Sequence, residues 1–428
     1  MRMTDLLEVL LELNPWWRNR EFELGKPREG YLSTMERKLR TGEILAVTGV
    51  RRAGKTTLIK QLIKRLLDRG VDPRSILFVN CEEPVIANRE DPFGELLETY
   101  RREIHPGEEV YLIFDEIQNI EGWQGWIKAL YDRNRYQIVI SGSSSELLES
   151  KLSSKLGGRY LQTVVHPLDF REFLQFKGWD LSGRIDLLSK KYQLIQSLSE
   201  YLRWGGFPQV VMESDEATRA DYLKTYYDSI LYRDVGLTYR LRNERVVREL
   251  SYYLLSNLPS PFSYNRLGEA MNVDFKTAKE YIGYLERARM VFEVPFFSHS
   301  PKTQARNEKK AYCIDNGLRN AVSFVFSRDE GRLAENLVFL EILRRGEKPY
   351  YWKGSREVDF VVRGEDGNLT AINVSYTDSP LDREIEGLRE FQEEFGEKVG
   401  GLMLITRDFD ASEEGIEVLP LWRWMLGI

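Results

Sequence analysis

Residues 49–56 read GVRRAGKT and fit the spacing G-x-x-x-x-G-K-[ST]. Gly49 and Gly54 let a loop wrap so that backbone N–H groups face phosphate oxygens. Lys55 is placed to reach the β- and γ-phosphates of a nucleotide, and Thr56 to ligate Mg2+. Val50, Arg51, Arg52, Ala53 and Thr57 complete the phosphate-facing run, and either arginine can approach phosphate. The chemistry indicated is Mg2+-dependent binding of ATP.

Further along, Val110-Tyr-Leu-Ile-Phe-Asp-Glu116 is an apolar run ending in two acids. Asp115 is placed to hold Mg2+ through water or Thr56, and Glu116 to polarise an attacking water. A third apolar run, Gln137 to Ile140, ends in Ser-Gly-Ser-Ser-Ser145. Its serines can face phosphate, or cap a helix beginning near Glu146.

Each of these groups needs an element to hold it. Ile44 to Thr48 reads as a short strand. Leu58, Ile59, Leu62, Ile63, Leu66 and Leu67 stand at helical spacing just after the loop. Strands alternating with helices over residues 41–175 predict an α/β core with a parallel sheet, the loop lying at the carboxyl end of its first strand. Residues 1–40 read as an N-terminal arm and 176–245 as a helical lid or linker. Residues 246–300 read as a winged helix-turn-helix: Asp274 caps a helix whose buried stripe is Ala278, Ile282, Leu285 and Ala288, and a strand follows from Met290 to Phe297. Its Lys276, Lys279, Arg287 and Arg289 are offset by Asp274, Glu280 and Glu286, which weakens the case for DNA contact.

Composition bounds the rest. A chain of 428 residues is too long for one core. A net charge of -6 gives no global case for nucleic acid. Cys81 and Cys313 lie far apart without metal-ligand spacing, which fits a reducing cytoplasm. No stretch approaches a membrane span, and acids within the first apolar run argue against a signal peptide.

The order of loop, acidic strand end and serine-rich strand end resembles the AAA-type ATPases. That resemblance implies a γ-phosphate sensor at Ser141 or Ser143. It also implies an arginine finger at Arg159, beside a glycine pair, acting within the chain or on a neighbouring subunit. The run FDEIQ at 114–118, the Gly-Gly-x-Pro of 205–208 and the early Asn14-Pro15-Trp16-Trp17 are similar to prokaryotic and archaeal ATPases with an AAA core and a C-terminal region of unassigned task. Arg233 is a further candidate sensor, with a helical Arg–Asp pair as the alternative.

Residues 301–428 read as helix, three-strand meander, helix, strand, which resembles the core of PD-(D/E)xK nucleases. Glu335 and Asp359 match two of the acids. Asn373 and Ser375 stand where that motif has its second-strand acid and lysine, so an inactive nuclease-like domain is expected. The combined expectation is an ATP-hydrolysing protein that couples nucleotide state to nucleic-acid or partner remodelling, with DNA and a second copy of the chain as candidate partners. A STAND-like nucleotide switch regulating assembly and an active ATP-coupled nuclease are the alternatives.

Overall fold

The computed structural model describes residues 6–107, 109–143, 156–241, 243–323, 330–377, 382–413 and 415–428. The chain divides into two units, Met1–Val165 and His166–Ile428.

The first unit is built on five parallel strands: β1 (Ile44–Gly49), β2 (Ile76–Asn80), β3 (Val110–Asp115), β4 (Tyr136–Gly142) and β5 (Tyr160–Val165). Their order is β2-β3-β4-β1-β5. Every residue of β1 is buried, as a strand covered on both faces requires. Helices α1 (Leu6–Leu13), α2 (Glu29–Leu39), α3 (Lys55–Asp68), α4 (Pro84–Ala87), α5 (Pro92–Glu103) and α6 (Trp123–Tyr131) complete the unit. Helix α3 buries Leu58, Ile59, Leu62, Ile63 and Leu66, the stripe the sequence spacing marks out.

The N-terminal arm is bound into this unit. The indole N–H groups of Trp16 and Trp17 both donate to the Ile76 carbonyl, at 3.2 and 2.9 Å. The buried Asn14 side chain donates to the Phe78 carbonyl and accepts from the Phe78 N–H. The tryptophan pair is thus packing at β2.

Among the described residues the second unit opens on a series of helices, from Phe170–Phe176 to Glu244–Ser256, with a π-helical stretch over Ile230–Leu237 that contains Arg233. Beyond it, β6 (Pro261–Phe262), two helices (Tyr264–Ala270 and Phe275–Arg287), β7 (Val291–Val294) and β8 (Lys309–Cys313) follow one another. The strands pair in the order β6-β8-β7. Asp274 caps the second helix by accepting from the Lys276 and Thr277 N–H groups, and Ala278, Ile282 and Leu285 are buried.

A helix over Glu330–Arg344 leads into a six-stranded sheet, ordered β13-β14-β12-β11-β10-β9. Its strands are β9 (Pro349–Lys353), β10 (Glu357–Arg363), β11 (Leu369–Ser375), β12 (Val399–Thr406), β13 (Ala411–Glu413) and β14 (Ile416–Pro420). β10 and β11 form an antiparallel hairpin, whereas β11, β12 and β14 run parallel. Helix Asp382–Phe395 packs Leu388 and Phe391 on the core with Trp352, Val358, Val361 and Leu404. Among the described residues no helix is long and apolar enough to cross a membrane.

Candidate nucleotide-binding site

Sheet order explains how distant segments meet. β4 lies between β1 and β3, so the carboxyl ends of all three strands form one edge. That edge carries the 49–56 loop, Asp115 with Glu116, and Ser141. Gly49 takes φ +142°, and a Cβ there would lie 2.1 Å from the Val165 carbonyl oxygen, so only glycine fits against β5. Gly54 begins α3 in a left-handed conformation, with no side chain capping the helix. The first N–H groups of a 14-residue helix are thereby left for another acceptor, in the field of the helix N-terminus.

The side chains converge beneath this loop. Thr56 Oγ1 donates to Asp115 Oδ2 at 2.6 Å. The Ser141 hydroxyl donates to Asp115 Oδ1 and accepts from the Glu116 N–H at 3.0 Å. Lys55 Nζ lies 3.5 Å from Glu116 Oε1 and donates to the Gly49 carbonyl at 3.1 Å. Lys55, Asp115 and Glu116 are all buried. Burial, reinforced by the Glu116 charge, pushes the Asp115 carboxyl up, against hydrogen bonds from Ser141 and Thr56 and the Lys55 charge. Burial also acts to raise Glu116, but Lys55, Gln118 and Arg51 together outweigh it and leave its carboxyl below the usual range.

The other expected residues are placed as follows. Val50 and Ala53 are buried in the loop, and Thr57 is exposed at the start of α3. Arg51 pairs with Glu82 at 3.5 Å, and Arg52 is exposed with φ +70°. Ser143 is buried at the end of β4. Ser141 is bonded to both acidic residues. Ser144, Ser145 and the helix expected near Glu146 lie outside the described residues. Arg159 stands at the other edge of the sheet. Its carbonyl accepts from the Ile44 N–H, where β1 begins, and its guanidinium bonds Asp132 at 2.8 Å. The five strand steps from Ile44 to Gly49 span about 17 Å. Arg233 is exposed in the second unit.

Two further contributors are placed by the structure. Gln118 Nε2 donates to Glu116 Oε2 at 2.6 Å, because Glu116 is left-handed (φ +51°) and the turn after it folds back. Arg28, buried in the arm, donates to the Ala53 carbonyl at 3.1 Å and braces the loop from outside. Gln118 falls within the FDEIQ run, where its place two residues after the acid was the available clue.

An uncapped helix start, a buried lysine, and a hydroxyl bonded to a carboxylate are the donor set a Mg2+-nucleotide requires. Comparison with known proteins places an AAA domain over this segment. Residues 41–174 match the AAA domain model, while 195–329 and 330–424 match two domains of unknown function, DUF8612 and DUF4143. A protein of Haemophilus influenzae is 29% identical over 93% of this chain and 98% of its own length. Among solved structures, the Walker-type ATPase PABY2304 of Pyrococcus abyssi is 13% identical with a TM-score of 0.48, covering 72% of this chain and 99% of that one. Uncharacterized protein MJ1544 of Methanocaldococcus jannaschii is 31% identical over 94% of this chain and 93% of its own. The chain belongs to the family of that M. jannaschii protein, and its 41–174 segment is an AAA domain of the nucleotide-binding, P-loop ATPase type.

Proposed function

We propose that the chain hydrolyses Mg2+-ATP at the 49–56 loop and uses the cycle to remodel a partner. The observation that carries this is the bond between Thr56, at the start of α3, and Asp115, at the end of β3, which brings together the two groups that would hold Mg2+. Thr56 and, directly or through water, Asp115 would hold Mg2+, which would neutralise charge developing on the β- and γ-phosphates. The N–H groups opening α3 cradle phosphate oxygens. Lys55 moves from Glu116 to phosphate. Glu116 then loses the cation that holds its carboxyl low, becomes a stronger base, and takes a proton from the attacking water. Gln118 keeps the second carboxylate oxygen in place. Ser141 is the phosphate-side polar residue favoured by its contacts, with Ser143 as the alternative. ATP turnover by wild type, Lys55→Ala and Glu116→Gln tests this reading. Turnover unchanged in both variants would end it.

Two features bear on the output. The element order from β6 to β8, with β8 between its neighbours, supports a winged helix that begins within 246–300 and takes its central strand, β8 (Lys309–Cys313), from beyond that span. Lys276 and Lys279 are exposed on its second helix, but so is Glu280, and Arg287 is engaged with Tyr239 at 3.1 Å. DNA as partner therefore rests on stimulation: faster ATP turnover with single- or double-stranded DNA supports it. No stimulation, with a nucleotide-dependent change in mass instead, favours the assembly switch.

The helix, hairpin, helix and parallel strand order at 330–406 supports the nuclease-like fold, and we read it as inactive. Asn373 is fully buried and its side chain is committed to the Asp359 N–H and the Glu357 and Glu384 carbonyls. Among the described residues, the Ser375 hydroxyl pairs with the Thr377 hydroxyl at 3.2 Å. DNA cleavage with Mg2+ or Mn2+ that disappears in Asp359→Ala would overturn this reading.

A further inference from the structure

The acids expected of a nuclease site already hold a cation. Lys310, on β8, is buried, and its Nζ lies 3.1 Å from Glu335 Oε1, 2.7 Å from Glu357 Oε1 and 3.1 Å from Asp359 Oδ1. These carboxylates come from helix Glu330–Arg344 and from β10, so one ammonium gathers acids from two elements. The Tyr312 hydroxyl donates to Glu335 at 2.7 Å, and Asp359 Oδ2 accepts from the Val374 N–H at 3.0 Å. Burial, then the Asp359 charge, pushes the Glu335 carboxyl up, against the Lys310 charge and the Tyr312 hydrogen bond.

We propose that Lys310 is the resident cation of this acidic centre and takes the place of a divalent metal ion. Three observations bear on this. An ammonium binds carboxylate oxygens at hydrogen-bond length, whereas Mg2+ draws oxygens to about 2.0–2.1 Å. The present oxygens are spread around Nζ at the longer distance. Among the described residues no group of three or more His, Cys, Asp or Glu is arranged to hold a metal. Access is not the obstacle: a cavity of about 590 Å³ opens on Glu335, Glu357 and Asp359, with Lys353, Arg332 and Arg383 also in its lining. What keeps a hard cation out is the charge and volume of Lys310. Neither Asn373 nor Ser375 enters this argument, so it goes beyond the inactivity proposed above and is tested by metal binding instead of cleavage.

The probe is Mn2+ alone, followed by its electron paramagnetic resonance signal and by thermal unfolding of the nucleotide-free full chain. Wild type should bind no Mn2+ that depends on Asp359, so Asp359→Asn should leave its binding curve unchanged. Lys310→Ala removes a buried cation bonded to three carboxylates, of which Asp359 is buried and Glu335 and Glu357 are partly so, and its melting point should fall by about 10 °C. It should gain about one equivalent of bound Mn2+, which restores several degrees by mass action. Adding Asp359→Asn to Lys310→Ala should abolish that gain, and NaCl at equal ionic strength should not reproduce it. A folded Lys310→Ala protein without added Mn2+ binding overturns the proposal. So does wild-type Mn2+ binding that Asp359→Asn removes. If Lys310→Ala does not fold, the wild-type comparison decides: Asp359-dependent Mn2+ refutes the proposal, and its absence supports it.

Discussion

Lys55 Nζ lies 3.5 Å from Glu116 Oε1, with both residues buried at one sheet edge. The cation suited to phosphate and the carboxylate suited to water are each other's counter-ions. Any ligand that draws Lys55 away also alters Glu116. In the proposed mechanism, nucleotide binding and activation of Glu116 as the base would be coupled through this one ion pair.

That coupling separates two variants. Lys55→Ala should lose about 100-fold or more in ATP turnover and weaken ATP binding, since it removes the buried cation at the loop. Glu116→Gln keeps the size of the side chain and its contact with Gln118 but loses the base. It should bind ATP at least as well as wild type and turn over about 100-fold or more slowly. Nucleotide binding by calorimetry and phosphate release measure the two effects. Normal hydrolysis by Glu116→Gln would remove Glu116 from the chemistry.

Arg159 is committed to Asp132 at the strand starts, about 17 Å from Gly49 by strand length. A role within its own site is therefore remote, and a finger would have to act on a neighbouring copy. Arg159→Ala should slow turnover with little change in ATP affinity. Mixing it with Lys55→Ala should recover activity, because one mixed interface carries both intact residues. A wild-type rate for Arg159→Ala excludes the finger.

The parts of this molecule visible in sequence are those governed by local periodicity and short spacing. The β1–loop–α3 unit, the Asp274 cap and the 357–375 hairpin follow from alternation, glycine placement and helix capping within a few residues. What joins distant segments was not visible. Trp16 and Trp17 meet Ile76 across some sixty positions. Lys310 reaches Asp359 across 49. Nothing in the local spacing of KKAYC (309–313) indicates three carboxylates around Lys310. The strand Ile416–Pro420 and the helix Leu421–Leu426 also escaped the reading. Both are short, and the strand gains its pattern from pairing in parallel with β12.

Burial sets a pH response at Asp315. This residue is buried and caps the helix Asn316–Val322, and its Oδ2 accepts from the Gly206 N–H at 2.6 Å. Burial pushes its carboxyl up to about 6, against backbone hydrogen bonds from Gly206 and Leu318. A folded value above the unfolded one means that the native state holds the proton longer. This contribution is fully present below about pH 4 and is lost as pH rises toward 6. The loss is on the order of 3 kcal/mol at most. Asp315→Asn should flatten this part of the stability profile between pH 4 and 6, measured by urea unfolding. Parallel profiles for the two proteins would show that Asp315 does not titrate in that range.

Asn373 supplies the sharpest test of whether the C-terminal unit is one substitution from an acidic catalytic site. Restoring the missing acid as Asn373→Asp looks conservative, but the geometry argues otherwise. Nδ2 donates to the Glu357 carbonyl at 3.2 Å and to the Glu384 carbonyl at 2.9 Å. An aspartate oxygen there would face two acceptors. It would also add a charge at a fully buried position, bonded through its other oxygen to the backbone of Asp359. Unsatisfied buried carbonyls cost about 1–3 kcal/mol each, and a buried unpaired charge costs more. Asn373→Asp should therefore melt about 6–15 °C below wild type at neutral pH. Its new carboxyl would have a raised folded value, so the deficit should shrink as pH falls toward the unfolded value near 4. Asn373→Ala, which loses the bonds without adding charge, should show no such recovery. Thermal melts of the three proteins at pH 5 and 7.5 measure this. An Asn373→Asp protein as stable as wild type at pH 7.5, or one that cleaves DNA with Mg2+, would show that the position tolerates an acid and that its asparagine is not the strut described here.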